Sequence, residues 1–389
     1  MTKQSIPYPY LNTPVCLLDL NKLEKNIKLI QQTANGAGVK LRPHTKVHES
    51  EFIAKMQIEA GAIGIEVGVI EQAEPMAEAG ISDIFIVHPF FGEHKLDTLK
   101  RLLSKWPKFK FSFVVDMIEQ AVGISKVAQV TGKTIPLVIK LDTGVDRYGV
   151  APGKPTLDLA KKLQKVPNIE LIGLYAHESG AKPTKESIDE VAFDVGSKIC
   201  QTARLLKREG FKMEHISVGA SPTYFSSCHY IKEGKFPEIT EIHPGQCVIG
   251  DIRFMTGISD TNEQCALSVL VGIMSTSHPN HVVIDAGRKT FSGETMSRGI
   301  YEEPSFSLNE KPSYGYIKGR SDIKFGRTAT ETGWVYYLEG AKKDLRVGDR
   351  LEIVPTNVSC VINIHDKIFG VRNGEIEVVI PITGRCFGN

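Results

Sequence analysis

The sequence has no dominant charge, no long apolar run and no closely spaced cysteine pair. It contains 47 basic and 45 acidic residues among 389, a net charge of +2. That balance argues against nucleic acid or an anionic membrane as the main partner. No apolar run approaches the ~20 residues of a membrane span. A hydrophobic content of 41% nevertheless supports a large buried core.

Cysteine usage and the first residues predict a cytoplasmic protein. The seven cysteines are scattered, odd in number and without a CxxC pair. This pattern fits a reducing compartment and gives no cysteine-rich zinc site. The opening stretch, MTKQSIPYPYLNTP, is polar and proline-rich. It lacks the apolar segment of a secretory signal peptide.

Residues 1–250 alternate short apolar runs with helical patterns. Asp19 can cap a helix that carries Leu23, Ile27 and Ala34 on one face. About eight strands are predicted, at 39–42, 63–67, 83–87, 109–115, 136–141, 169–175, 216–218 and 247–249. Alternation of this kind over ~250 residues predicts an α/β fold of the (β/α)8 TIM-type barrel class. An open doubly wound sheet is the alternative, but no GxGxxG motif opens a helix here.

Residues 251–389 change character and predict a second, antiparallel β domain. Short β-type runs occur at 269–275, 281–284, 335–338, 350–354, 361–364 and 375–380. Turns such as VGD (347–349) and RNG (372–374) separate several of them. The first residues of the chain could also pack on this domain.

The motif LRPHTK (41–46) places Lys46 at the carboxyl end of a predicted strand, beside His44 and His48. Catalytic groups collect at such strand ends in α/β barrels. A lysine held there can have a lowered pKa and form a Schiff base with a carbonyl cofactor. For the motif alone, an ordinary basic cluster is the alternative interpretation.

Three later strand ends carry polar clusters: DTGVDR (142–147), YAHESG (175–180) and SVGASPT (217–223). Small and hydroxyl residues after a late strand suit a phosphate, because backbone N–H groups can approach it closely. Each cluster could instead be a hydrogen-bonded loop that ends a strand. Their convergence on one rim of the barrel favours function. His243 lies in a turn from which it could line the site, without a signal that requires it.

The chain resembles the D-threonine aldolase and D-serine dehydratase group of pyridoxal 5'-phosphate enzymes, whose barrel is alanine racemase-like. The resemblance spans nearly the whole chain. It rests on RPHTK (42–46), EQAEPMAEAGISDI (71–84), DTG (142–144), EIHPG (241–245), VIDAG (283–287), GDRL (348–351) and PITGR (381–385).

The resemblance implies that Lys46 forms the Schiff base with the cofactor. It further implies that His44, Arg147, Tyr175 and His177 face the cofactor or the substrate. The residues that it places near the cofactor phosphate are Gly219, Ala220, Ser221 and Thr223. It also implies a small amino acid substrate and a homodimer in which the β domain of one subunit closes the barrel mouth of the other.

The sequence departs from the family where the resemblance implies a divalent metal site. In PTNVSCVINIHD (355–366), Asn357 and Ser359 stand where the family has a histidine and an acid or cysteine. Amide and hydroxyl oxygens are weak ligands for zinc or manganese. The metal is therefore doubtful. Cys360 and His365 could rebuild a site, but in a predicted strand Cys360 faces away from Ser359.

The sequence leaves several functions open. The first is a lyase of the D-threonine aldolase type, with a side-chain base such as His177 or His365 in place of a metal-bound group. The alternatives are an amino-acid racemase or epimerase, a D-serine dehydratase-like ammonia-lyase and a non-catalytic protein that binds the cofactor. Racemisation needs a second acid or base opposite Lys46, and the sequence identifies none.

Overall fold

The computed structural model of the protein describes residues 8–251, 262–294 and 313–387. Its strands, in chain order, are β1 (Val15–Asp19), β2 (Lys40–Leu41), β3 (Ile65–Val67), β4 (Asp83–Ile86), β5 (Lys110–Val115), β6 (Ile135–Leu141), β7 (Ile169–His177), β8 (His215–Gly219), β9 (Glu241–Ile242), β10 (Leu267–Ser275), β11 (His281–Ile284), β12 (Gly315–Ile317), β13 (Ile323–Thr328), β14 (Gly333–Tyr337), β15 (Arg350–Pro355), β16 (Lys367–Arg372) and β17 (Glu375–Pro381).

The helices follow the barrel strands and are sparse in the remainder of the described chain. They are α1 (Leu20–Ala37), α2 (Glu51–Glu59), α3 (Ala73–Glu78), α4 (Glu93–Lys105), α5 (Ile118–Thr131), α6 (Lys154–Leu163), α7 (Lys185–Arg208), α8 (Tyr224–Lys232), α9 (Arg288–Phe291) and α10 (Val358–Asn363). Among the described residues, no helix combines the length and the apolar character that crossing a membrane requires.

Contacts divide the described chain into two compact units. One contains residues 27–247, and the other combines residues 8–26 with the described part of 248–386. The sequence-based division at residue 250 stays a prediction.

The 27–247 unit is a parallel barrel. Its strand order is β2-β9-β8-β7-β6-β5-β4-β3, and every pairing is parallel. A parallel bridge between His44 and Glu66 joins the two ends of this order. The carboxyl ends of all eight strands therefore meet at one rim, where catalytic residues collect in such barrels. The predicted barrel is confirmed.

The second unit contains a nine-stranded sheet, mostly antiparallel. Its main order is β13-β14-β11-β10-β1-β16-β17, with β15 pairing both β10 and β12. The pairing of β1 with β16 is parallel. The β16–β17 hairpin turns at Asn373 and Gly374, whose φ angles of 51° and 84° are left-handed. The predicted β domain is confirmed, with this one parallel pair added.

Local signals explain where helices begin. Asp19 Oδ1 accepts the Lys22 N–H at 3.0 Å, which caps the start of α1 as predicted. The apolar face of that helix, with Leu23 and Ala34 fully buried, follows the helical period.

Two strand predictions are wrong. The eighth barrel strand is β9 rather than 247–249, because Pro244 and Gly245 end β9 and residues Gln246–Val248 form a 3-10 turn. Cys247, Val248 and Ile249 are buried, so their apolar run imitates a buried strand. Residues 361–364 lie in or just after α10, which Asn357 caps by accepting the Ser359 N–H.

Candidate active site

Lys46 projects from a short 3-10 turn, Thr45–Val47, that follows β2 at the barrel rim. The Thr45 hydroxyl donates to the Glu66 carbonyl at 2.8 Å, which ties the turn to β3. His44 Nδ1 accepts the Lys46 N–H at 3.2 Å. These two hydrogen bonds hold the backbone of the Lys46 turn in place.

The surroundings of Lys46 favour its neutral amine. The side chain keeps access to solvent, whereas the residues on either side of it are buried. Protein atoms nevertheless crowd the amine, and this burial lowers the pKa of Lys46. The Arg147 guanidinium lowers that pKa further, while Glu66 opposes the change. A neutral amine is the form that attacks an aldehyde.

A cavity of about 200 Å³ opens beside Lys46 within the barrel unit. It is lined by His44, Lys46, His177, Glu178, Ser179, Gly180, Ala181, Ala220, Ser221, Pro222, His243, Gly245 and Gln246. These residues come from the ends of β2, β7, β8 and β9, which are neighbours in the barrel. The structure thus brings five of the predicted residues to one cavity: His44, Lys46, His177, Ala220 and Ser221.

Stacked rings form one wall of the cavity. His177 and His243 stack with their centroids 6.5 Å apart, and His243 stacks on Tyr175 at 4.2 Å. Tyr175 was predicted to face the cofactor, but its ring lies behind His243 and its hydroxyl bonds to Glu66 at 3.2 Å. His243, which the sequence placed in a turn that could line the site, lines the cavity.

The histidines of the cavity are neutral. Burial lowers the pKa of His177 to about 3, and burial also holds the pKa values of His44 and His243 well below the ordinary value. His177 Nδ1 lies 2.9 Å from the Gly219 carbonyl, so this nitrogen carries the hydrogen. Nε2 of His177 is therefore the acceptor nitrogen of the ring.

The loop after β8 is held in place from two sides. The Gly219 carbonyl accepts from His177 Nδ1 and from the Glu178 N–H, at 2.9 and 3.3 Å. Ser221 Oγ accepts the N–H groups of Gly245 and Cys247, both at 3.2 Å. A side chain at Gly219 would meet the backbone nitrogen of His243 at 2.8 Å. The loop is a close-packed edge of the cavity.

Two predicted residues lie away from the cavity wall. Thr223 is fully buried at the start of α8, and its hydroxyl bonds to Glu178. Arg147 is exposed in the loop after β6, with its guanidinium 4.7 Å from the centre of the Tyr148 ring. Asp142 shapes that loop, since its Oδ1 accepts the N–H groups of Gly144 and Val145. Arg147 still acts on Lys46 through its charge.

The barrel interior holds two ionisable residues that the sequence reasoning missed. Glu66 is fully buried, and burial raises its pKa well above the ordinary value. Burial, followed by the charge of Arg147, lowers the pKa of Lys140 to about 7. The Lys140 amine lies 4.1 Å from the centre of the Tyr175 ring. One signal in the sequence was available for Glu66 and for Lys140: each is the single charged residue in an otherwise apolar barrel strand.

Asn357 and Ser359 lie in the other unit, at the start of α10. Asn357 Oδ1 accepts the N–H groups of Ser359 and Cys360, and its Nδ2 donates to Glu294 at 2.9 Å. An oxygen that caps a helix in this way does not fit a metal ligand. The prediction that Cys360 lies in a strand is wrong. Within the described ranges, no group of three or more His, Cys, Asp or Glu side chains could hold a metal ion.

Comparison with known proteins gives matches along nearly the whole chain. The alanine racemase N-terminal domain family matches residues 18–252, and a serine dehydratase domain matches residues 266–371. A 3-hydroxy-D-aspartate aldolase of Paracoccus denitrificans (strain Pd 1222) is 28% identical, with 97% of this chain and 93% of the relative covered. A D-threo-3-hydroxyaspartate dehydratase of Delftia sp. (strain HT23) is 27% identical, over 89% of this chain and 90% of its own.

The crystal structure of a D-threonine aldolase from Filomicrobium marinum superposes with a TM-score of 0.83. It is 25% identical, and the match covers 98% of this chain and 97% of that one. The match to the family extends over well over half of the sequence and includes the Lys46 turn and the whole cavity. The chain belongs to the alanine racemase N-terminal domain family, within the fold-type-III pyridoxal 5'-phosphate enzymes.

Proposed function

We propose that this protein is a pyridoxal 5'-phosphate-dependent lyase of the D-threonine aldolase type. It would cleave the Cα–Cβ bond of a small D-configured β-hydroxy amino acid. The observation that carries the proposal is Lys46, an amine of lowered pKa beside a cavity at the carboxyl ends of the barrel strands. Aldolases that match nearly the whole length of the chain support the reaction type.

The cavity residues fit the cofactor. Within the described chain, Nε2 of His243 and Oγ of Ser179 are buried atoms without a hydrogen-bond partner, and both residues line the cavity. Buried polar atoms of this kind are satisfied when a polar ligand binds. Lys46 would hold the aldehyde, and the loop from Gly219 to Ser221 would receive the phosphate. When bound, the cofactor supplies an electron sink for a carbanion at Cα.

We propose His177 as the residue that accepts the proton of the substrate hydroxyl. Its Nδ1 hydrogen is committed to the Gly219 carbonyl, which leaves Nε2 with a lone pair. The pKa of about 3 keeps the imidazole neutral, and therefore available as an acceptor, near pH 7. A negatively charged substrate in the cavity would raise that pKa and strengthen the base.

We propose that the reaction proceeds without a divalent metal at Asn357 and Ser359. The capping contacts of Asn357 support this, because its oxygen already accepts two N–H groups. Dialysis against a chelator should leave turnover unchanged, and elemental analysis should find less than stoichiometric metal. Turnover that is lost with the chelator and returns with manganese would contradict the metal-free proposal.

Product analysis in heavy water separates the proposed lyase from its alternatives. With D-threonine or 3-hydroxy-D-aspartate, the lyase releases glycine and an aldehyde. Ammonia and a keto acid would instead indicate the dehydratase reaction, which the Delftia relative favours. Deuterium exchange at Cα without either product would indicate a racemase. A protein that binds the cofactor and shows none of these would be non-catalytic.

We further propose a cytoplasmic homodimer whose barrel mouth is closed by the second subunit. The exposed side chains of Phe91, Met117 and Val145 follow the neighbouring strands β4, β5 and β6 at the rim. Large apolar side chains that are exposed after neighbouring strands support a protein partner at this rim. All seven cysteines are free thiols, which fits a reducing compartment. Light scattering should give a mass near twice 42.9 kDa.

A further inference from the structure

Glu178 is a buried carboxyl group beside the Lys46 cavity that the proposed chemistry leaves unused. It is 1% exposed and follows His177 at the end of β7. Its carboxyl oxygens accept from the hydroxyls of Thr223 and Ser227, the latter at 2.7 Å, and from the Ala220 N–H. A carboxyl group buried this deeply is stable only when such donors surround it.

These three donors lie on one segment, the loop after β8 and the first turn of α8. The same loop is bound at Gly219 by the side chain of His177 and the backbone of Glu178. Glu178 therefore joins the end of β7 to both ends of the 219–223 loop. Ser221, which lines the cavity, lies between the attachment points at Ala220 and Thr223.

We propose that Glu178 is a positioning residue for the phosphate of the cofactor, acting through the 219–223 loop rather than by touching the reacting atoms. The inference rests on the proposed cofactor site. Three donors on a single carboxyl group fix the loop before any ligand arrives, so phosphate binding need not order it. Burial raises the pKa of Glu178 to about 7, and the three hydrogen bonds oppose this rise because they favour the carboxylate form.

The test compares pyridoxal 5'-phosphate with pyridoxal, which has the same ring and aldehyde but no phosphate. In Glu178→Gln the amide offers one acceptor oxygen in place of two, so at least one O–H or N–H group of the loop loses its acceptor. Affinity for pyridoxal 5'-phosphate should fall about tenfold, the size expected for one lost hydrogen bond. Affinity for pyridoxal should stay the same.

The chain offers a matched control in a second serine–carboxylate pair, whose serine lies in α8 and whose carboxylate lies in α7. Asp189 accepts the Ser226 hydroxyl at 2.6 Å, which reproduces the serine–carboxylate pair one residue away from Ser227 and away from the cavity. Asp189→Asn should leave both affinities unchanged. Thr223→Val, which removes a hydroxyl without changing volume much, should reproduce the loss seen in Glu178→Gln, and Thr223→Ser should restore affinity. This pair also carries the test if Glu178→Gln fails to fold.

The outcomes are distinct. A selective loss for the phosphorylated ligand in Glu178→Gln and Thr223→Val supports the inference. Equal loss for both ligands would show a general structural role, and no loss for either would show no role. Both of these results overturn the inference. Wild-type protein that does not bind pyridoxal 5'-phosphate at all would instead overturn the proposed function.

Discussion

The imidazole of His243 stacks on the phenol ring of Tyr175, with ring centroids 4.2 Å apart and planes 11° apart. His243 faces the cavity, whereas the Tyr175 hydroxyl points to Glu66 in the barrel interior. Ser217 Oγ lies 2.7 Å from His243 Nδ1 and fixes the ring in its plane. The stacked pair thus forms a boundary between the cavity and the buried ionisable groups behind it.

The stacked pair predicts that the protein tolerates Tyr175→Phe but not Tyr175→Ala. Tyr175→Phe keeps the ring stack and loses only the contact with Glu66, so pyridoxal 5'-phosphate should still bind with similar affinity. Tyr175→Ala removes a fully packed ring, so it should weaken binding and lower the free energy of unfolding by about 3–5 kcal/mol. Urea denaturation and ligand titration of both variants measure these effects. If the phenylalanine variant binds as poorly as the alanine variant, the hydroxyl and not the stack is decisive.

The lowered pKa of Lys140 predicts that the stability of the protein depends on pH. Its pKa falls from 10.5 to about 7 on folding, mainly through burial. Between pH 7 and 10.5 the unfolded chain therefore binds more protons at this residue than the folded protein does. The free energy of unfolding should rise with pH across this window because of Lys140. In Lys140→Met the rise should be smaller, as urea denaturation at several pH values can show. If the free energy of unfolding changes with pH in the same way in both proteins, the lowered pKa of Lys140 is refuted.

Asn357 predicts a capping effect rather than a metal effect. Asn357→Ala removes the acceptor for two N–H groups at the start of α10 and should cost about 1 kcal/mol of stability. Asn357→Ser keeps a capping oxygen and should retain most of that stability. Thermal unfolding with and without chelator measures both. A transition of the wild-type protein that moves with the chelator would indicate a bound metal instead.

Gly219 predicts a steric effect at the cavity edge. A Cβ at this position would meet backbone atoms of His243 at 2.8 and 3.0 Å, so the two strand ends would have to move apart. Gly219→Ala should weaken cofactor binding and lower stability. Gly36→Ala is the control, because in α1 nothing lies within 4 Å of the added methyl group. It should stabilise the protein by roughly 0.5–1 kcal/mol. If Gly219→Ala and Gly36→Ala had equal effects on stability and cofactor binding, the close packing of Gly219 against His243 would be contradicted.

Much of the barrel and its rim could be predicted from the sequence, because local patterns determine them. The alternation of strands and helices, the Asp19 cap and the turn that presents Lys46 all depend on residues close together in the chain. Parallel pairing then brings His44, Lys46, His177 and Ser221 to one rim without further information. The pairing of β1 with β16 joins segments some 350 residues apart, and no local pattern signals it.

The remaining misses have physical causes too. Glu66 and Lys140 lie in apolar strands, and only the closed barrel shows that their side chains point inward. The run at 361–364 has a strand-like composition, but the Asn357 cap selects a helix for it. The stacking of His243 on Tyr175 could not be predicted either, because it depends on β7 and β9 lying on the two sides of β8.

The central claim concerns which amine holds the cofactor, and the barrel contains two lysines of lowered pKa, Lys46 and Lys140. Borohydride reduction of the protein loaded with pyridoxal 5'-phosphate makes the attachment permanent, and peptide mass spectrometry then locates it. We expect a single modified peptide that carries the label on Lys46, and no label in Lys46→Ala. A label on Lys140, or on no lysine of the barrel, would contradict the account.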